Sequence, residues 1–210
     1  MKINKPKIKI YDEKKLSDCV KEDNYANLNI THDDINLEIS GITFDSCNIE
    51  NVNFSSVRLS DIELLDVIFK NCDLSNINFD DEYITRVIFD NCKLSGTSFI
   101  NSTIKDVQFI SCKAKYINFS GSNISNVIIE ESDMSFSAFV ECDVKNMDLN
   151  KDNFTSSEFV NTSLNGIDFS NSEISNIKVD LRSLKGVKLN TFQCVDIARI
   201  LGVEVINYAR

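Results

Sequence analysis

VIFKNCDLSNINFDDEYITRVIFDNCKLSGTSF, residues 67–99, carries a large apolar residue at every fifth position: Phe69, Leu74, Phe79, Ile84, Phe89, Leu94 and Phe99. Followed in both directions, the same register places Ile, Phe, Leu, Met, Val or Ala at all 31 positions from Ile39 to Leu189, with no insertion or deletion. It also holds 12 of the 14 phenylalanines. Two residues before each centre a second class is small or apolar, as at Val52, Cys72, Ile77, Cys92, Thr97 and Cys112, so the unit reads small-x-large-polar-polar. Neither the three-and-four spacing of a helix nor the alternation of a strand yields a strict five. A unit this short cannot bury its own apolar side chains, so successive units must stack into a solenoid with a continuous interior.

At these residues the chain resembles the pentapeptide-repeat family. The resemblance implies an all-β fold, a right-handed quadrilateral parallel β-helix in which four pentads make one coil. Residues 20 apart then stand above one another at about 4.8 Å, and the repeat forms a shaft about 37 Å long. Charges read in columns of 20 agree: Glu50, Lys70, Asp90; Asp66, Arg86, Asp106; Asp73 over Lys93; and Lys113 over Asp133 alternate in sign, as cross-strand neighbours prefer. Asp61 over Asp81 and Asp148 over Asp168 do not. An exposed pair contributes about 0–1 kcal/mol, so these columns report geometry more than stability. The same columns put Phe79, Phe99, Phe119, Phe139 and Phe159 in one file and Phe69, Phe89 and Phe109 in a second, with a third aliphatic from Leu64 to Leu184. Each such side chain contributes roughly 1.5–3 kcal/mol on burial.

The chain divides into residues 1–38, an N-terminal cap or irregular first coil; 39–190, the repeat; and 191–210, a C-terminal helix and short strand. In the first segment Ile8 and Ile10 alternate with lysines, which predicts a short strand or an edge-covering segment, and Tyr25, Ile30 and Ile35 keep the five-residue spacing in a shifted frame. In the last, Asn190 and Gln193 have the spacing of a capping box. Cys194, Ile197, Ala198 and Leu201 follow at helical spacing, Gly202 ends the helix, and Val203, Val205 and Ile206 alternate like a strand. A helix covering the last coil would hide backbone groups that otherwise recruit another chain. Its apolar outer face would suit a two-fold partner, through Phe192, Cys194, Ile197, Ala198, Leu201, Val203 and Val205. Glu82, Asp152 and Arg182 occupy the small inward position, where an unpaired charge is expensive. Local widening or an outward-turned backbone is expected at Glu82 and Asp152, and at Arg182 the transition to the cap.

Catalytic and metal chemistry lack an inventory. Of seven cysteines, Cys47, Cys72, Cys92, Cys112 and Cys142 sit at the small inward position. Without CxxC or partnering histidine they read as small, buried, reduced thiols rather than zinc ligands or disulfides. The sole histidine, His32, lies beside Asp33 and Asp34 outside the regular repeat. No phosphate-binding glycine loop, HExxH or GxSxG occurs. The expectation is a protein that is not an enzyme and uses neither cofactor nor metal. No run of 18 apolar residues suits a membrane span and residues 1–15 lack the apolar core of a signal peptide, which points to the cytoplasm.

Net charge is −1 over residues 1–38, −12 over 39–176 and +3 over 177–210. A narrow rod with a sustained negative field repels nucleic acid and attracts basic protein surfaces, DNA-binding grooves among them. Acidity that serves only solubility is the alternative. The stretches 184–193 and 200–206, together with 69–75 and 112–119 with its small centre Ala114, resemble the quinolone-resistance (Qnr) members of the family. That resemblance implies a homodimer through the C-terminal helix that imitates duplex DNA and binds DNA gyrase and topoisomerase IV. Asp61, Glu63, Asp66, Asp81, Asp90, Glu141, Asp143 and Asp148 would stand in for phosphates. Many Qnr proteins project two loops from the shaft, whereas this register is uninterrupted. The rival reading is a rigid acidic scaffold with no topoisomerase role.

Overall fold

The computed structural model describes residues 2–19, 24–31, 38–55 and 58–206. His32 and Ile35 lie outside the described residues. The described elements are β1 (Asp12–Lys15), a 3-10 turn (Leu16–Asp18), β2 (Asn24–Ala26), β3 (Leu28–Thr31), β4 (Glu38–Glu50), β5 (Arg58–Lys70), β6 (Tyr83–Asp90), β7 (Thr103–Ile110), β8 (Asn123–Glu130), β9 (Asp143–Asn150), β10 (Glu158–Phe159), β11 (Lys178–Val179) and α1 (Thr191–Ile200). From β4 to β9 each strand pairs in parallel with the next at a register of 20 residues, as in Val67 with Val87, Val107, Val127 and Met147. Asp73 with Lys93 and Asn78 with Ser98 carry that register onto two further sides as single bridges. The molecule is a parallel β-solenoid whose coil has four walls. The first is centred on Leu64, Ile84, Ile104 and Ile124, the second on Phe69, Phe89, Phe109 and Ile129, the third on Leu74, Leu94, Ala114 and Met134, and the fourth on Phe79, Phe99, Phe119, Phe139 and Phe159. All of these are buried.

Rings of one wall stack: centroids lie 5.1 Å apart for Phe79 and Phe99, 5.3 Å for Phe99 and Phe119, and 5.1 Å for Phe89 and Phe109. Rings of different walls meet edge-on, as Phe99 does Phe109 at 82°. Coil spacing therefore sets the ring spacing, and both geometries are favourable for aromatic quadrupoles.

Corners explain the two polar positions of the unit. Every positive-φ residue other than Asn27 and Gly202 occupies the second position after a centre. That left-handed conformation suits Asn, Asp and Gly, which fill most of these sites. Tyr116 (φ 60°) and Phe136 (φ 61°) are bulky exceptions.

The small inward position has a second job. Its backbone N–H points into the tube, and in much of the shaft its acceptor is a side chain one coil further on: Ser102 N–H to Ser122 Oγ, Cys112 to Ser132 Oγ, and Cys142 to Thr162 Oγ1, each at 3.0 Å. The same hydroxyls and thiols donate to carbonyls of the preceding coil, as Cys72 Sγ does to Ile49, Cys92 to Phe69 and Cys112 to Phe89. The cysteines are buried and unbridged, but they are hydrogen-bonding rungs as well as small fillers.

Glu82 and Asp152 belong to this ladder, contrary to the expected widening. Glu82 Oε1 accepts from Ile62 N–H and Asp152 Oδ1 from Ser132 N–H, both at 2.9 Å, and the register of 20 continues past each. Arg182 has no acceptor to offer. It is exposed, and Ser183 takes the rung instead, accepting Thr162 N–H through Oγ.

At the N-terminus β1 and β3 pair, and β2 and β3 pair with β4 in a frame offset by one, Tyr25 opposite Phe44. Leu16, Cys19, Tyr25, Leu28 and Ile30 are buried there. Residues 2–11 form no strand; Ile8 and Ile10 instead belong to a segment laid across the coils. At the other end Asn190 and Gln193 cap α1 reciprocally, at 3.0 and 2.8 Å. Gln193 Nε2 also donates to the carbonyls of Phe169 and Ser172, fastening the helix to the last coil. Gly202 (φ 84°) closes it, with Val203 N–H on Ala198 O. Of the expected apolar stripe only Ile197 is buried; Gln193, not Cys194, is its inward companion. Val203–Ile206 is not a strand.

Truncating Phe99, fully buried between Phe79 and Phe119, is expected to cost about 3–5 kcal/mol. The same change at Phe192, 83 % exposed, should shift stability by less than about 0.5 kcal/mol. Urea denaturation followed by circular dichroism compares the two.

Candidate functional site

The surface is built by the same ruler as the core. Because corner residues project outward, Asp61, Asp81 and Glu141 fall in one corner column and are exposed. Glu63 and Asp143 follow on the adjoining first wall, also exposed. Asp90 and Asp148 lie on the second wall, half-buried and exposed respectively. The eight predicted carboxylates are thus spread over two walls and two corners. Asp61, Glu63 and Asp81 come together, with Asp80 and Glu82, on two successive coils. Burial raises the Glu82 carboxyl above its ordinary value; the Ile62 N–H opposes this, while Asp61, Asp81 and Glu63 add to it. Together they form a concentrated negative patch.

Asp66 does not belong to a free acidic surface. It is 5 % exposed and takes the Arg86 guanidinium two-pronged, Nε at 2.6 Å and Nη2 at 2.7 Å. Burial disfavours its ionised form, yet Arg86 and the Lys7 N–H outweigh that and hold the carboxyl below its usual range.

Much of the remaining acid is matched within its column: Glu50 by Lys70 at 3.9 Å, Asp73 by Lys93 at 2.9 Å, Glu131 by Lys151 at 2.9 Å and Glu158 by Lys178 at 2.5 Å. Asp143 pairs with Lys145 at 2.8 Å. Asp133 stands in register with Lys113, as the columns predict, but its ion pair is with Lys115 at 3.5 Å.

Two apolar features interrupt the polar surface. Tyr116 and Phe136, at left-handed corners one coil apart, stack at 4.9 Å in the open. At the C-terminal end Leu181, Phe192, Ile200, Leu201, Val203 and Ile206 are exposed together with Cys194. Among the described residues no group of three His, Cys, Asp or Glu side chains is placed to hold a metal ion. No described helix is long and apolar enough to cross a membrane. Burial raises the thiols of Cys47 and Cys142 to about 11 and that of Cys112 to about 12, so these rungs remain protonated donors.

Residues 62–137 match the family model described as Pentapeptide repeat region. This stretch is a pentapeptide repeat. The parallel register of 20 that defines it extends on both sides, from β4 to Asp168 opposite Lys188. Among solved structures of similar architecture is a trypsin-treated variant of QnrB1, a plasmid-mediated fluoroquinolone resistance protein. It is 21 % identical, with 96 % of this chain and 100 % of that one covered and a TM-score of 0.42. Another is HetL, involved in heterocyst differentiation regulation in the cyanobacterium Nostoc, 10 % identical over 79 % of this chain and 86 % of that one, TM-score 0.39. No curated protein matches the chain.

Asp152 gives the ladder of inward N–H groups a pH signature. Burial pushes its carboxyl up to about 6; the Ser132 and Asn150 N–H groups oppose the shift, and Glu130 and Glu131 add to it. The folded chain therefore holds this proton to a higher pH than the unfolded chain, which releases it near 3.8. The contribution to stability is complete below that value and is lost as pH rises through about 6. Asp152→Ser, which supplies the hydroxyl used by neighbouring rungs, should be more stable than the parent at pH 7 by on the order of 1–2 kcal/mol. The advantage should vanish near pH 4, read from urea melts at both pH values; a difference independent of pH contradicts it.

Proposed function

We propose that this pentapeptide-repeat protein is a DNA mimic that binds a type II topoisomerase, DNA gyrase or topoisomerase IV, and modulates its activity or quinolone sensitivity. The observation that carries the reading is the exposed carboxylate cluster of Asp61, Glu63 and Asp81 with Asp80 and Glu82 beside them, on a shaft whose residues 39–176 have a net charge of −12. A stiff rod presenting such charge offers a basic, DNA-accepting surface the field of a duplex without its bases. Glu141 and Asp143 extend the same corner and wall toward the C-terminus. The mechanism is competition: carboxylates take the positions of phosphates, and gyrase engages the rod in place of DNA.

Dimerisation would double the length of that surface. Leu181, Phe192, Val203 and Ile206 form an exposed apolar end, the kind of surface that marks an association site, and a two-fold contact there would set two shafts end to end.

The scaffold reading is favoured by a specific observation of its own. Cross-coil lysines neutralise Glu50, Asp73, Glu131 and Glu158, so the negative field is patchy rather than continuous along the shaft.

A supercoiling assay with purified gyrase, with and without ciprofloxacin, separates the two. The mimic changes supercoiling or drug sensitivity at micromolar protein. Combined Asp61→Asn, Glu63→Gln and Asp81→Asn weaken the effect by at least about tenfold, the scale of one lost desolvated charge contact; no effect of the parent protein favours the scaffold. Sedimentation should show a dimer that Phe192→Asp shifts to monomer, while an unchanged mass removes the end-to-end arrangement.

A further inference from the structure

Residues 2–10 have no regular structure, yet they are fastened at two places on the shaft. Asn4 Nδ2 donates to Asp106 Oδ2 at 3.0 Å and Lys7 N–H donates to Asp66 Oδ1 at 2.9 Å. Asp66 and Asp106 share a corner column two coils apart, about 10 Å at the strand spacing. Three residues of extended chain span about that distance. The segment therefore runs straight along the shaft axis, across the strands, where it cannot join their ladder. Ile3, Pro6 and Ile8 are half-buried on it, while Lys2, Lys5, Lys7 and Lys9 are exposed.

The surface beneath is unusual for an outer wall. The outward column of the second wall reads Ile68, Ile88, Gln108, Ile128. The isoleucines are half-buried and Gln108 is only 7 % exposed. Burial at an outward register position requires a cover, and the segment fastened at Asp106, two residues along the chain from Gln108, runs beside this column. The fit is incomplete, since Gln108 Nε2 is buried without an acceptor among the described residues. An orphaned buried donor costs its full desolvation, so this track is built for an occupant that brings a carbonyl to that point.

We propose that the track formed by Asp66, Ile68, Ile88, Asp106 and Gln108 is a docking site for an extended, lysine-rich protein segment with interspersed apolar residues. Residues 2–10 are its built-in occupant, which a partner's segment displaces. The isoleucines take the apolar side chains, the two carboxylates take backbone and amide N–H groups, and Gln108 takes a backbone carbonyl. Nothing in this assignment depends on the partner being a topoisomerase.

The test uses the full chain and a fluorescein-labelled peptide with the sequence of residues 2–10, followed by anisotropy. Asn4→Pro with Lys7→Pro removes both fastenings, including the bond from Asn4 N–H to Asp106 Oδ1, and equal thermal melts of parent and variant establish that the shaft is intact. The released variant should bind the peptide at least about tenfold more tightly than the parent, and adding Asp106→Asn should reverse the gain, as expected for loss of a charge-assisted hydrogen bond. A scrambled peptide of the same composition should bind at least about tenfold more weakly. Equal binding to parent and released chains, no binding to the released chain, or equal binding of the scramble overturns the proposal. None of these outcomes bears on the gyrase assay, which tests a different surface.

Discussion

An amide N–H that points into a tube has no water to fall back on, and in this protein its acceptor is either a side chain of the coil ahead or the carbonyl three residues back, as Leu94 O is for Thr97 N–H. That requirement fixes the architecture. Ser102, Cys112, Ser132, Cys142 and Thr162 each find an oxygen one coil on, so 20 residues per coil is a hydrogen-bonding condition as much as a packing one. The phenylalanine files add the larger share of burial, but they follow the same spacing. A unit with a slightly different length would break rungs and ring stacks together. Coil and core therefore reinforce one another, the consistency expected of a sequence that specifies a single fold.

The ruler extends to the surface. Corners that require a left-handed residue recur every five positions, and they carry many of the chain's asparagines and several of its aspartates outward in straight columns. Charges placed there meet charges one coil away, so the surface is patterned by register: matched in the columns of Asp73 and Glu131, unmatched around Asp61 and Asp81. A function that depends on presenting charge at fixed intervals is well served by such a lattice. The segment of residues 2–10 ignores it, lying along the axis instead of within a coil.

Reading the sequence recovered what is periodic. The files of Phe79 and Phe69, the columns of opposite charge, the cap made by Asn190 and Gln193 and the stop at Gly202 all follow from spacing, because each depends on neighbours at a fixed separation. What escaped has no period. The contacts of Lys7 and Asn4 reach 59 and 102 residues along the chain, and no local pattern announces them; their effect was to turn Asp66 from an expected exposed carboxylate into a buried one. Glu82 and Asp152 were misread for a different reason. The cost of burying charge was weighed without the inward N–H groups that receive it. Arg182, a cation that cannot serve as a rung, is exposed, and Ser183 takes its place.

The central claim is that a position 20 residues further on is one strand spacing away along a straight axis. Spin labels at Glu63 and Asp143, exposed residues of a single column, on a chain with Cys194 replaced by serine, measure it in solution by pulsed dipolar spectroscopy. Four coils predict a backbone separation of about 19 Å, with a narrow distribution. A broad distribution, or a separation beyond about 30 Å for a coil count that no parallel strand spacing can produce, contradicts the account.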